Sequence, residues 1–452
     1  MASNQAKKIC IFGANVGNLN LGDEATFAVV LHNTRLKSEG AEVFGVCHNP
    51  PDTAERYRIR VFPIKRSGQE VKKETRAADQ SIDSVGVGMW EDARERIKLR
   101  LKKTPLLFTL IKVLRNIVTG GLKGIPALLG EIRFITRSFN SIRNTGLFIF
   151  AGSGVLSDHS GGLSNFPYSV FKWSVLAKTA GAKLAFVSVG AGPINSLVSR
   201  YLFKYSLSLA DYRSFRDEES KRLIERIGVA SNQGVFPDLV HSMRMDSFRN
   251  GSSSKGVGNN IVGINLFPHC DPRFWPIPDV ESYRRYITQL ASFVLWLMDK
   301  NYRVLYFPTH LRADPPVIKD LKDVLERGLE KPFQEDFLES PIRGLDDLMS
   351  QISVMDFVVA SRFHGILFSF LLNKPVLGIS NHPKMENLMR DMGQGDYLLN
   401  IETLDLETLK ERFISLKANS ETIKERLKLI NLEYRHALSV QYDQVVSLLE
   451  KR

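Results

Sequence analysis

Apolar residues along this chain fall mostly in short unbroken runs. Each run ends at glycine or asparagine and leads into a segment with helical spacing. Residues 7–14 (KKICIFGA) form one such run, then a loop, NVGNLNLGDE, and a helix-like stretch that stops at Gly40. Residues 41–47 (AEVFGVC) read as the next strand. An apolar run closed by turn residues is the pattern of a strand buried on both faces, and a βαβ start predicts a doubly wound parallel sheet. The alternation resumes at GLFIFAGSG (146–154), KLAFVSVGAGP (183–193), YRSFRDEES (212–220) and GVFPDLVHS (234–242), with helices expected over 168–179 and 199–210.

A second series follows a break. Residues 246–260 (DSFRNGSSSKGVGNN) are rich in Gly, Ser and Asn and read as an interdomain linker. Beyond it come NIVGINL and a helix with Tyr283, Ile287, Leu290, Val294, Leu297 and Met298 on one face. Then come RVLYFPTH, LDDLMSQIS, MDFVVASRFHG, ILFSFLLN and PVLGIS. Ile423, Leu427, Ile430, Ala437, Val445 and Leu448 mark a long amphipathic helix at the end. The expected division is an α/β domain over 1–245, the linker, a second α/β domain over 261–415, and a terminal helix over 416–452.

The middle of the first half departs from this order. Residues of about 55–145 are expected to form a basic helical insertion. Between residues 91 and 143 lie twelve basic residues and four acidic ones, interleaved with leucine, isoleucine, valine and phenylalanine. This stretch carries most of the formal charge of +12. Two readings fit it: an element lying on an anionic membrane surface, or a solvated helical pair over a cleft. It lacks aromatic residues spaced to stack on bases, so nucleic acid is not an expected partner.

Composition narrows the class. At 452 residues, two domains are expected, and 43% hydrophobic residues suffice for two cores. Cys10, Cys47 and Cys270 are far apart, which excludes a disulfide framework and a cysteine zinc site and fits a cytoplasmic setting. The opening apolar run is too short for a secretory signal core, and no stretch is long enough to cross a membrane. No metal-ligand cluster is evident, and no cofactor is expected.

Candidate chemistry lies where strands end in loops. In GANVGNLNLGDEATF the glycines let the backbone turn; Asn15, Asn18 and Asp23 are candidates for sugar hydroxyls, or simply shape the turn and cap the helix. In AGSGVLSD, Gly152, Ser153, Gly154 and Asp158 are candidates for the cleft floor, against a plain tight turn. Arg216, opening RDEES, is placed to clamp an anion or to pair with a neighbouring Asp. The richest segment is SRFHG. A buried strand carries Arg362 and His364 on one side, and Gly365 begins a helix with free amides, a combination suited to a small, highly charged ligand. His310, His269 and Lys384 also follow strands of the second half.

The ordered set GNLNLGDEA, FAGSGVLSD, VSVGAGP, RDEES with FPD, INL and SRFHG followed by NHPK resembles the polysaccharide pyruvyl transferase family over roughly residues 8–395. That resemblance implies a GT-B-like fold, in which two Rossmann-like domains face across a cleft and the last helix crosses back. It implies phosphoenolpyruvate as donor and a sugar hydroxyl pair of a polysaccharide, or of its lipid-linked precursor, as acceptor. Arg362, His364 and Arg216 map onto the family's donor-binding and catalytic positions. Protonation of C3 of the donor calls for an acid near neutral pH, and His364 is expected to supply it. The rival readings are a GT-B glycosyltransferase using a nucleotide sugar and a non-catalytic carbohydrate-binding protein of the same fold.

Overall fold

The structure is a computed structural model that describes residues 7–66, 124–152, 154–158, 166–229, 234–245, 260–275, 277–328 and 341–450. Ser153, residues 246–259 of the expected linker and residues 67–123 of the expected insertion, with most of its basic stretch, lie outside the described residues.

The first sheet is entirely parallel. Strand β1 (Lys8–Gly13) leads to α1 (Leu21–Lys37), β2 (Glu42–Cys47), α2 (Pro50–Tyr57) and β3 (Val61–Pro63). After α3 (Gly124–Ile142) come β4 (Leu147–Ala151), α4 (Phe166–Thr179), β5 (Lys183–Val189), α5 (Leu197–Ser208), β6 (Tyr212–Phe215), α6 (Glu218–Arg226) and β7 (Gly234–Val235). Their order across the sheet is β3-β2-β1-β4-β5-β6-β7. The direction of winding reverses between β1 and β4, and ligands of open parallel sheets bind beyond the strand ends at such a switch.

The second sheet repeats the plan. It contains β8 (Ile261–Asn265), α7 (Val280–Asp299), β9 (Arg303–Tyr306), α8 (Asp314–Gly328), α9 (Leu345–Ser353), β10 (Phe357–Ala360), α10 (Phe363–Leu371), β11 (Val376–Ser380), α11 (Pro383–Asp391) and β12 (Leu398–Asn400). The order is β12-β11-β10-β8-β9, parallel throughout, with its switch between β8 and β10. The residues of β1, β4, β8 and β10 are buried almost without exception, as strands covered on both faces must be.

The chain ends in two helices rather than one, α12 (Leu406–Ala418) and α13 (Ser420–Val446). Helix α13 crosses between the domains and is tied to each by buried amides. Asn431 Nδ2 donates to Phe370 O (2.7 Å) and Asn373 Oδ1 (2.9 Å) in the second domain. Ten residues on, Gln441 Nε2 donates to Ser214 Oγ (2.8 Å) and its Oε1 accepts from Ser188 Oγ (3.1 Å) in the first. Ile423, Leu427, Tyr442 and Val445 are buried along the same helix, so one element contributes to both halves of the core. The expected GT-B-like architecture, with its crossing helix, is the one observed.

Candidate active site

The two switch points face each other, and the loops beyond them touch. Leu21 N donates to Thr309 O (2.9 Å) and Leu311 N to Leu19 O (2.8 Å), a short antiparallel bridge between the domains. Asn387 Nδ2 donates to Glu219 Oε2 (2.8 Å) at the other end of the seam. A cavity of about 50 Å³ remains, lined by Arg216, Asp238, His241, Phe363, Lys384 and Tyr434 among others.

The first wall begins with the loop after β1. Gly17 has φ +81°, and any Cβ there would run into Asn49, so glycine is required. Its amide donates to Glu24 Oε1 (2.7 Å), and Tyr57 Oη donates to Glu24 Oε2 (2.9 Å). Glu24 is therefore occupied in holding the loop. Asp23, one residue earlier, is 7% exposed and faces the cleft, bonded to the Asn15 side chain. Burial pushes its carboxyl up to about 7, with the Glu24 and Asp238 charges adding to the effect and Asn15 and Arg216 opposing it. Asn18 is exposed on the turn, its amide donating to Asn15 O (3.1 Å).

Arg216 directly follows β6, with a side chain only 7% exposed. It pairs with Asp238 Oδ2 (3.3 Å) and Asp217 Oδ2 (3.5 Å). Its guanidinium also lies 4.8 Å from the centre of the Phe363 ring, a cation–π contact across the domain boundary. Gly190 makes room for it, since a Cβ there would stand 2.7 Å from Arg216 Nε.

The second wall is built around β10. Arg362 pairs with Asp314, which is wholly buried at the start of α8, and stacks 4.8 Å from the Phe267 ring centre. Its Nε is buried without a hydrogen-bond partner among the described residues. Gly365 is needed because a Cβ would overlap Asn265 Oδ1. The imidazole of His364 sits on Gly22 of the opposite domain, in the space a Cβ would fill. Burial pushes His364 down to about 4, with the Arg216 and Arg362 charges assisting and Asp238 opposing. Desolvation and the two guanidinium charges thus disfavour a proton on this ring.

Lys384, in the first turn of α11, reaches across to the glycine loops. Cβ atoms on Gly154 and Gly192 would stand 3.5 and 3.6 Å from its Nζ. Burial and the Arg216 charge push it down to about 8, against Asp217 and Glu219. His310 lies beside Arg362; burial and that charge lower it against the pull of Asp314, and its Nδ1 accepts from the amides of Arg312 (3.3 Å) and Ala313 (3.4 Å).

Not every strand-end candidate is free in the cleft. His269 is buried against Glu402 (Nε2–Oε1 3.1 Å), Trp275 and Tyr286, and is committed to that edge of the second domain. The Asp158 carboxylate accepts from the amides of Asn195 (2.9 Å) and Ser196 (2.8 Å). Although burial works against it, those amides hold it below the usual carboxylate range. These bonds cap the turn before α5. Gly152, with φ +40°, is buried against Thr26 and Leu239 and shapes the turn. Sequence reading missed Asp314, Phe267 and Phe363 as site-builders, and it met Asp238 only as part of FPD. No local pattern marks Asp314 or Phe267, whose roles arise from strands distant in sequence.

A roomier cavity of about 700 Å³ lies between α7 and α8 on the second domain. Its Arg273 is already paired with Asp271 (2.7 Å) and Asp320, and none of the sequence candidates lines it. Among the described residues no group of three or more His, Cys, Asp or Glu side chains is placed to hold a metal ion, and no helix is long and apolar enough to cross a membrane.

Two parallel sheets with charged mouths facing each other, joined by a crossing helix, define a GT-B-like protein. Solved structures agree on the fold. A putative UDP-N-acetylglucosamine 2-epimerase from Listeria monocytogenes superposes with TM-score 0.56 at 12% identity, covering 99% of this chain and 98% of that one. The N-terminal domain of trehalose-6-phosphate phosphatase from Candida albicans gives 0.53 at 10%, covering 98% and 99%. A glycosyltransferase from Rickettsia africae gives 0.51 at 11%, covering 99% and 100%. None of the curated proteins matches the chain in sequence. The family model of polysaccharide pyruvyl transferase matches residues 20–383, and the chain belongs to that family. It is an enzyme of that kind, a transferase of polysaccharide pyruvylation.

Proposed function

We propose that the protein transfers the enolpyruvyl unit of phosphoenolpyruvate to a hydroxyl pair of a polysaccharide, or of its lipid-linked precursor, closing a pyruvate ketal. The observation that carries this reading is the convergence of Arg216, Arg362, Lys384 and His364 from both domains on one seam. A compact trianionic donor needs several cations in a small, water-poor space, where each is worth far more than in solvent. The phosphate is assigned to Arg216 and Lys384, which are near enough for one charge to depress the other. The carboxylate is assigned to Arg362 and the free amides that begin α10, with Gly365 allowing close approach.

The lobes are taken to part as the donor enters. The cavity of about 50 Å³ holds only about one or two water molecules, at roughly 30 Å³ each. The bridge between Leu21 and Thr309 and between Leu311 and Leu19 would open and re-form around the substrate. The acceptor is assigned to the first domain, with Asn15, Asn18, Asp23, Gly152, Ser153, Gly154 and Asp158 as its candidate contacts. The arriving anion also acts on His364. It offsets the two guanidinium charges that keep the ring neutral, so the imidazole gains basicity as the donor binds.

Thermal shift with phosphoenolpyruvate, UDP and GDP, together with phosphate release in the presence of a sugar acceptor, tests the reading. Stabilisation by phosphoenolpyruvate and acceptor-dependent phosphate release are expected. Stabilisation by a nucleoside diphosphate alone would instead assign a glycosyltransferase, and sugar binding without phosphate release a non-catalytic protein. The basic sequence of 91–143 supports a further expectation, attachment to an anionic bilayer. Flotation with anionic liposomes at low salt tests it, and failure to float would end it.

A further inference from the structure

Helices α3, α4 and α5 form one layer on the first sheet. Phe134 and Phe139 of α3, Trp173 of α4 and Phe203 of α5 share a single core with the strands, while α1 and the crossing helix α13 pack into the other core. The layer is tied sideways as well. Glu131 of α3 accepts from Tyr168 Oη (2.9 Å) and Lys172 Nζ (3.1 Å) of α4, and the Phe171 ring of α4 lies 5.7 Å from Tyr205 of α5.

The outward side of this layer is apolar and basic. Leu197, Tyr201 and Tyr205 stand four residues apart along α5, so they form one stripe, and each is at least 50% exposed. Leu128, Leu129 and Ile132 of α3 are each at least 49% exposed. Arg133 and Arg137 of α3 and Arg200 and Lys204 of α5 are exposed beside them. The sequences of the three helices contain a single acid, Glu131, and it is engaged with Lys172. Large apolar side chains left this open, and bordered by one sign of charge, mark a contact surface.

We propose that this face of α3 and α5 docks on an anionic bilayer, with Leu197, Tyr201 and Tyr205 entering the headgroup boundary and the four basic side chains meeting lipid phosphates. Charge decides the occupant. A second copy paired through the same face would set basic residues against basic residues. A bilayer is negative at its surface and apolar beneath, which suits both parts of the face, and tyrosine is enriched at that boundary. Docking through α5 goes beyond the attachment expected of 91–143, because α5 lies outside that stretch. On the ketal-forming reading it also favours a lipid-linked precursor over a free polymer. Helix α5 starts directly after the Asn195 and Ser196 amides bonded by Asp158, so the docked face adjoins a candidate acceptor loop.

The test uses the full chain in flotation with vesicles of phosphatidylcholine and phosphatidylglycerol, and with phosphatidylcholine alone. Wild type is expected to float with the anionic vesicles and far less with the neutral ones. Leu197→Ser combined with Tyr201→Ser is expected to melt as wild type does and to lower the vesicle-bound fraction at least about tenfold. Tyr201→Trp is expected to lose its added fluorescence to brominated lipid. If wild type and the double variant float equally, the face is not the docking surface, and attachment through 91–143 stands. If wild type does not float, both fall. Self-association that the double variant abolishes, without flotation, would assign the face to a second copy and overturn the proposal. Phosphate release measured without vesicles reports on the ketal-forming reading separately.

Discussion

The two walls of the cleft are made of the same parts, parallel strands ending in loops at helix starts, yet their chemistry is opposite. The first wall carries acids, Asp23, Glu24, Asp217 and Asp238, around Arg216. The second carries Arg362, His364, His310 and Lys384 with the acids Asp314 and Asp391. Neither wall is complete alone. Arg216 is positioned by Phe363 of the other domain, and His364 by Gly22 of the first. The contrast teaches that strand-end position makes a residue available, whereas the partner across the cleft decides what it does.

The largest effect is expected where the second wall is stripped of its central charge. Arg362→Ala leaves Asp314 buried and unpaired, at a cost of about 3 kcal/mol or more in unfolding free energy, measured by denaturant titration. Arg216→Ala removes the cation of the first wall, which has acids on both sides to begin with. Here kcat/KM for phosphoenolpyruvate is expected to fall about 100- to 1000-fold while stability changes less. Equal and small effects of these two substitutions on both measurements would erase the distinction between the walls.

Gly22→Ala tests the seam itself. The new Cβ overlaps the His364 ring, so closure is expected to fail and turnover to drop about 100-fold, with donor affinity less affected. Small-angle scattering should show a more open chain. If Gly22→Ala turns over normally, the closed arrangement is not the reactive one.

A gentler test uses pH. His364 is pushed below its unfolded value, so its contribution to stability is present above that value and is lost as pH falls towards about 4. Asp23 is pushed above its unfolded value, so its contribution is present in acid and is lost as pH rises from about 4 to about 7. The two slopes oppose each other across mild acid. Asp23→Asn removes only the falling one, so its stability relative to wild type should rise with pH over that window.

The smallest effect is expected at Asp158. Asp158→Ala frees the amides of Asn195 and Ser196 at a cost of about 1 kcal/mol in unfolding free energy.

The alternation of buried runs made the two parallel sheets legible in the sequence, and Ile423, Leu427 and Val445 marked the crossing helix. Periodicity did not show the break at Asn419 that separates α12 from α13. The site was legible as residue types at strand ends, and only partly as roles. His269 and His364 follow strands of the same sheet, yet one is locked to Glu402 and the other rests on Gly22. Asp23 and Asp158 both follow strands of the first domain, yet one lies buried among charges and the other accepts backbone amides. These differences come from contacts between residues hundreds of positions apart, and from desolvation, which no local pattern records. The stacking of Arg362 on Phe267 and of Arg216 on Phe363 belongs to the same class.

A crystal structure of the full chain with phosphoenolpyruvate tests the central claim most directly. The expected result is one donor molecule in the seam, its phosphate against Arg216 and Lys384 and its carboxylate against Arg362 and the start of α10. A donor bound only in the cavity between α7 and α8, or in the seam without touching either arginine, would contradict it.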